Sequence, residues 1–142
     1  MLDKLKTPLT LIARVLLALM FVMAGVSKLG NLAGTAGYIA SQGLPAPQLL
    51  ALATGLFEVT AGLLLAIGWQ ARWAAAALAA FTLVASVIFH AFWALPAEQQ
   101  MVQQLMFMKN LSITGGLLLV AALGAGPASL DQRRMALRPA TA

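Results

Sequence analysis

The sequence lacks cysteine, has a single histidine and is poor in charged residues. Without a thiol, the chain has no disulfide exchange, no thiolate nucleophile and no cysteine-bound cluster of its own. One histidine is too few for a bis-histidine haem or a histidine-rich metal site, so we predict no metal site. Only 9% of the residues are charged, whereas a soluble domain carries about a quarter. This composition excludes an ordinary water-soluble domain.

Most of the sequence consists of long apolar runs. Hydrophobic residues make up 61% of the 142 residues, and the mean hydropathy is +0.89. A helix needs roughly 20 mostly apolar residues to cross a bilayer, and no run shows the alternation of membrane β-strands. The runs therefore predict an all-α integral membrane four-helix bundle, with one domain over residues 1–142. The predicted spans are Pro8–Leu29, Gln48–Gly68, Trp73–Leu95 and Leu105–Ala125.

The connections between these runs differ in character. The longest, Gly30–Pro47, carries no charge and contains several glycines. Within it, Ala36–Ala40 is predicted to form one or two helical turns at the membrane interface. The segment Ala97–Gln104 has four glutamines and is predicted to be a polar link.

The net charge of +5 is concentrated in three segments that four spans would place on one side of the membrane. Such a bias predicts that both termini are cytoplasmic. We interpret the basic residues as topology signals and contacts with anionic membrane lipids, and we expect no nucleic-acid partner. They are Lys4, Lys6, Arg72, Arg133, Arg134 and Arg138.

Each span also has a face of polar or small side chains, spaced three or four residues apart, which puts them on one side of a helix. Small residues let membrane helices approach closely, so these faces are predicted to point toward the centre of the bundle. Along the four spans they are Arg14, Ala18, Phe21, Gly25 and Lys28; Gly55, Glu58 and Gly62; Thr82, Ser86, Phe89, His90 and Trp93; and Lys109, Ser112 and Gly116.

The depth of the ionisable residues follows from the helical rise. Glu58, ten residues into its span, lies roughly 15 Å deep, near the bilayer centre. His90 and Lys109 lie about 7 Å from the outer end of their spans. A charge at the bilayer centre is costly and usually pairs or lines a cavity. We predict a structural pair of Arg14 and Glu58, whereas Lys28 is expected to extend to the outer headgroups.

A polar pocket is predicted at the outer side. His90 is open to two interpretations, a hydrogen bond within the protein or a bond to a ligand. Aromatic rings beside a histidine and a lysine suit a flat, quinone-like ligand with carbonyl oxygens. The candidate ligand-binding residues are Glu58, His90, Trp93, Lys109 and Asn110.

Five segments follow one another along the chain in a recognisable order, namely LIARVLLALMFVMAGVSKL, GLFEVTAGLLLAIGWQAR, HAFWALP, QLMFMKNLSITGGLLLV and GPASLD. Together they resemble the DoxX family of small bacterial inner-membrane proteins. The resemblance implies a multi-pass inner-membrane protein with characteristic polar positions at Arg14, Lys28, Glu58, His90, Lys109 and Asn110.

The resemblance also implies a link to redox chemistry, because one branch is described as a small subunit of a thiosulfate:quinone oxidoreductase. The leading hypothesis is therefore a quinone-binding protein or the membrane subunit of an oxidoreductase complex, with no catalytic residue assigned. The expected partners are membrane lipids, a quinone-like molecule and an oxidoreductase protein, and an oligomer is open. The alternatives are a permease for small solutes, protons or anions, and a structural or assembly protein.

Overall fold

A computed structural model describes residues 2–137, with side chains from residue 5 onward. Arg138 and the side chain of Lys4, both used to predict topology, lie outside this part. The described chain is helical and contains no strand. A 3-10 turn, Phe92–Ala94, separates the fourth and fifth helices. The helices are α1 (Leu2–Gly30), α2 (Leu32–Ser41), α3 (Pro47–Ile67), α4 (Ala71–Phe89), α5 (Ala97–Leu123) and α6 (Leu130–Ala136).

Four of these helices are long and apolar enough to cross a membrane, which confirms the predicted fold class. The spans identified in the structure are Leu5–Gly30, Pro47–Ile67, Ala71–Ala94 and Ala97–Leu123. Large apolar side chains remain exposed along all four, for example Leu16 and Leu119. In a membrane these side chains meet lipid, and the bundle interior is correspondingly small.

The helix ends differ from the predicted spans by more than two residues in three places. Helix α1 begins at Leu2 and continues through Pro8, which had been predicted to start it. Helix α4 ends at Phe89 and gives way to the 3-10 turn. Helix α5 begins at Ala97, directly after Pro96, so the predicted polar link is helical. Glutamine and glutamate are good helix formers, so the polarity of this segment did not mark where the helix begins.

The interfacial segment forms a longer helix than predicted. Asn31 caps α2, its side chain accepting a hydrogen bond of 3.0 Å from the Gly34 N–H. Ala36 and Ile39 are buried, and the helix packs mainly against α3. One face of α2 therefore belongs to the protein interior.

The bundle consists of two closely packed helix pairs, α1 with α3 and α4 with α5, joined by weaker contacts between α3 and α4. The first pair approaches through glycines. A Cβ atom added at Gly25 would lie 2.7 Å from the carbonyl oxygen of Gly55, and one at Gly62 would lie 3.2 Å from that of Ala18. These contacts set the antiparallel register of α1 against α3, with residues near 25 opposite Gly55 and residues near 20 opposite Gly62.

The segment after α5 folds back against the bundle. Arg14 is buried, and its guanidinium donates hydrogen bonds to the carbonyl oxygens of Ala125 and, at 2.7 Å, Ala128. The carboxylate of Asp131 accepts hydrogen bonds from the backbone N–H groups of Gln70 (2.8 Å) and Ala71 (2.9 Å). These bonds satisfy donors that a helix N-terminus leaves open. The tail thus connects α1 with the start of α4.

Gly68 makes the sharp turn between α3 and α4 possible. Its φ of 70° is in the left-handed region, where glycine carries no Cβ penalty. The Trp69 N–H donates to the Leu64 carbonyl at 3.0 Å and closes the helix end. A Cβ at Gly68 would also lie 2.5 Å from the Cβ of Ser129. The turn and the returning tail are therefore packed as one unit.

The glycine contacts predict a position-dependent cost of adding a methyl group. Gly25→Ala forces α1 away from the backbone of α3, and we expect it to lower the free energy of unfolding by about 1–3 kcal/mol. Stepwise denaturation with SDS in mixed micelles measures this quantity.

The matched control is Gly115→Ala, because nothing lies within 4 Å of a Cβ built at that glycine in α5. It should be neutral or stabilising by up to about 1 kcal/mol, since alanine favours helix more than glycine. Equal effects of the two substitutions would contradict the close approach of α1 and α3.

Candidate functional site

A cavity of about 500 Å³ lies at the end of the bundle remote from the returning tail. Side chains of all five longer helices contribute to it, and most of its wall is apolar. Four of the five residues predicted to bind a ligand line this cavity, and Lys28 joins them. The charged and side-chain amide or imidazole groups in the wall are Lys28, Glu58, His90, Lys109 and Asn110.

The central polar feature is an ion pair between Lys28 and Glu58. The Nζ of Lys28 donates to Oε2 of Glu58 at 2.7 Å. The Glu58 side chain is only 6% exposed, while that of Lys28 is 30% exposed and faces the cavity. The lysine ammonium has three donor hydrogens, so two remain for further partners.

The predicted pair of Arg14 and Glu58 is wrong. The register between α1 and α3 places Gly55 and Val59 opposite Gly25, so that Lys28 is the cation close to Glu58. Arg14 lies eleven residues before Gly25, or about 16 Å along the helix axis. It binds the carbonyl groups of the tail instead. Lys28, expected to reach the headgroups, turns toward the cavity.

His90 is fixed by a residue that the sequence analysis had placed in a loop. Its Nδ1 lies 2.7 Å from Oε1 of Gln103 in the first turns of α5. Because that oxygen only accepts, Nδ1 donates the hydrogen of this bond, and in the tautomer with the hydrogen on Nδ1, Nε2 is an acceptor. The two interpretations of His90 are therefore compatible, because Nδ1 bonds to Gln103 and Nε2 is available to a ligand.

Helix α5 presents a different face from the one predicted. Lys109 and Ser112 are exposed, whereas Thr114 and Leu117 are buried. The Nζ of Lys109 lies 3.4 Å from the sulfur of Met106, which is a weak acceptor. Lys109 therefore reaches the rim of the cavity from the outside, next to the half-buried Asn110.

Trp93 does not line the cavity, contrary to the prediction. It is 56% exposed and packs edge to face on Phe92 and Phe107, with ring centroids 5.1 and 5.6 Å apart. The end of α4 at Phe89 redirects the chain before Trp93 is reached. The rings that do face the cavity include Tyr38 and Phe89, which are stacked at 5.2 Å.

Sequence reasoning did not assign Tyr38, Thr54 or Gln103 to the site. Thr54 lies one turn before Glu58 on α3, and that spacing was an available signal. Gln103 could have been found only by predicting that α5 begins directly after Pro96 rather than at Leu105. Tyr38 had no such signal, because its place depends on how α2 packs against α3.

The geometry predicts that Lys28 and Glu58 are energetically coupled. Lys28→Met leaves a buried carboxylate without its cation, and we expect a loss of about 2–3 kcal/mol in the free energy of unfolding. Removing one partner of a fully buried ion pair costs about 3–5 kcal/mol. The loss is smaller here because Lys28 is 30% exposed, and solvent partly screens its charge. The double substitution Lys28→Met/Glu58→Gln should recover most of this loss, as measured by SDS denaturation.

Lys109→Met is the control, because its ammonium contacts only a thioether. It should change the unfolding free energy by no more than about 0.5 kcal/mol. Strictly additive effects of the Lys28 and Glu58 substitutions would show that the two side chains do not interact.

Comparison with known proteins identifies the family. The sequence pattern that defines the DoxX family matches residues 9–91. The chain is 38% identical to the inner membrane protein YphA of Escherichia coli over 125 residues, which are 88% of this chain and 89% of YphA. It is also 38% identical to the inner membrane protein YqjF of E. coli over 129 residues, 91% of this chain and 94% of YqjF.

A third relative is eukaryotic. The Surfeit locus protein 4 homolog of Schizosaccharomyces pombe is 35% identical over 81 residues, which are 56% of this chain and 27% of that protein. No solved structure gives a significant match. The family pattern, the two bacterial relatives and the four membrane-spanning helices together show that the chain is a multi-pass inner-membrane protein of the DoxX family.

Proposed function

We propose that the cavity binds a lipophilic small molecule with oxygen-bearing polar groups, such as a quinone, in a redox-linked process. The observation that carries the proposal is the ion pair of Lys28 and Glu58 in the wall of an apolar cavity of about 500 Å³. Ligand sites typically measure about 300–1,000 Å³ and combine apolar walls with a few well-placed polar groups. This cavity has both properties.

The polar groups suit carbonyl or hydroxyl oxygens. The free donors of Lys28 can bind a ring carbonyl, while Glu58 holds the ammonium in place. The free Nε2 of His90 can accept from a hydroxyl group, as a reduced quinone presents. Tyr38 and Phe89 supply flat apolar surfaces against which a ring can pack. Both oxidation states of a quinone thus find a matching partner.

A partner protein completes this proposal. The sequence has no cysteine and nearly all of its length is membrane helix and short connections, so electrons would come from an oxidoreductase bound to this chain. The chain would then act as the membrane subunit that binds the lipophilic substrate.

The proposed orientation puts the cavity in the periplasmic half of the membrane. Lys6, Arg72 and Arg134 all lie at the other end of the bundle, and Arg133 lies beside Arg134 in α6. Positive charge of this kind favours the cytoplasmic side. Both termini would be cytoplasmic, and a ligand would enter near α2 from the outer leaflet.

Equilibrium binding of ubiquinone or menaquinone to the purified protein tests the proposal. We expect saturable binding that weakens about tenfold in His90→Ala and in Lys28→Met/Glu58→Gln, because each removes a hydrogen bond to the ligand worth about 1–1.5 kcal/mol. Both variants need a preserved helical circular dichroism spectrum. Trp93→Phe is the matched control and should bind like wild type, since Trp93 lies outside the cavity.

Absence of saturable binding, or binding indifferent to both cavity variants, would rule out the quinone site. The same proteins in sealed liposomes address the permease. A proton or anion flux that the wild type shows and the Glu58→Gln variant lacks would favour transport as the function of the cavity. Without binding or flux, a structural or assembly role would stand as the best account.

A further inference from the structure

A second cavity, of about 1060 Å³, lies at the opposite end of the molecule. The first turns of α1 and α4, the turn after α5 and helix α6 enclose it. Three of its lining side chains are cations, namely Lys6, Arg72 and Arg134, and one is an anion, Asp131. These side chains are far apart in the sequence, and the folded tail brings them together.

The anion in this cavity is already engaged. Both carboxylate oxygens of Asp131 accept hydrogen bonds from backbone N–H groups at the start of α4, at 2.8 and 2.9 Å. Among the side chains of residues 5–137, the single ion pair is that of Lys28 and Glu58, so Arg72 and Arg134 lie within 4 Å of no described carboxylate. Arg134 packs over the ring of Trp69 at 5.9 Å, which leaves the edge of its guanidinium free to donate.

The same cavity has an apolar rim. Trp73, Leu123 and Leu137 line it and are 77%, 78% and 82% exposed. These are the three most exposed large apolar side chains among the described residues. Trp73 lies in the first turn of the span Ala71–Ala94, and Leu123 is the last residue of the span Ala97–Leu123. Both therefore lie where acyl chains meet headgroups, the usual depth of tryptophan. Guanidinium groups that have no carboxylate partner among residues 5–137, beside exposed apolar side chains, match an amphiphile with an anionic head.

We propose that this cavity is a binding site for an anionic glycerophospholipid. The guanidinium groups of Arg72 and Arg134, with the ammonium of Lys6, hold the phosphate, since arginine suits phosphate through paired N–H donors. The acyl chains run along Trp73 and Leu123 into the bilayer. A lipid bound there bridges α1, α4 and α6 and holds the tail on the bundle. The site is independent of the quinone cavity.

Native mass spectrometry of the purified full chain, titrated with phosphatidylglycerol or phosphatidylcholine, tests this site. We expect tighter binding of phosphatidylglycerol, and loss of about fivefold in affinity for each arginine replaced, as for a basic residue near an anionic lipid surface. The Arg72→Gln/Arg134→Gln variant should therefore bind phosphatidylglycerol about 25-fold more weakly. Its affinity for phosphatidylcholine should fall less, because the choline cation already offsets the charge of that lipid's phosphate.

Arg133→Gln is the matched control, because Arg133 belongs to α6 and carries the same charge but does not line the cavity. It should bind phosphatidylglycerol within about twofold of wild type. An equal loss in Arg133→Gln would reduce the effect to general charge attraction and overturn the site. Equal affinities of the wild type for phosphatidylglycerol and phosphatidylcholine would also overturn the proposed site.

Two measurements on the wild type keep the proposal testable if the double variant does not fold. Phosphatidylglycerol binding should weaken as ionic strength rises, because salt screens the phosphate contacts; binding indifferent to salt overturns the proposal. Inorganic phosphate at millimolar concentration should displace little lipid. Complete displacement would identify free phosphate, rather than a lipid, as the occupant.

Discussion

A charged group cannot be left without a partner inside a membrane, and this constraint accounts for most of the tertiary structure. Glu58 lies in the middle of α3 and is 5% exposed. Lys28 is the cation that the packing of α1 brings to it. Because a bare carboxylate in hydrocarbon costs several kcal/mol, the register of α1 against α3 and the ion pair support each other. The glycines at the helix contact make that register possible.

Arg14 meets the same constraint in another way. It is 2% exposed, and backbone carbonyl groups of the non-helical segment after α5 are its partners. A segment outside a helix has carbonyl groups that no N–H of its own satisfies, and a guanidinium can bind several of them. Two of the three guanidinium nitrogens of Arg14 thus bind the tail, while its buried Nε has no hydrogen-bond partner among the described residues. Asp131 of the tail in turn accepts from the backbone N–H groups at the start of α4.

The ion pair of Lys28 with Glu58 and the bonds of Arg14 to the tail lie toward opposite ends of the bundle, and the cavities at these two ends differ. One end holds the smaller, mainly apolar cavity with an ion pair in its wall, suited to a small lipophilic molecule. The other holds the larger, basic cavity with exposed apolar side chains at its rim, suited to a charged amphiphile.

The sequence by itself determined the membrane class, the four spanning helices and the small and polar face that α1 and α3 turn inward. Hydropathy and helical periodicity are local properties, and Ala18, Gly25 and Gly62 are buried as that periodicity predicts. Only the tertiary structure decided that Glu58 pairs with Lys28, that Arg14 binds the tail, and that Trp93 stays outside the cavity while Tyr38 enters it. Depth counted from span ends cannot fix such partners. They depend on the register and on the true ends of the helices, which are set by contacts between residues distant in sequence.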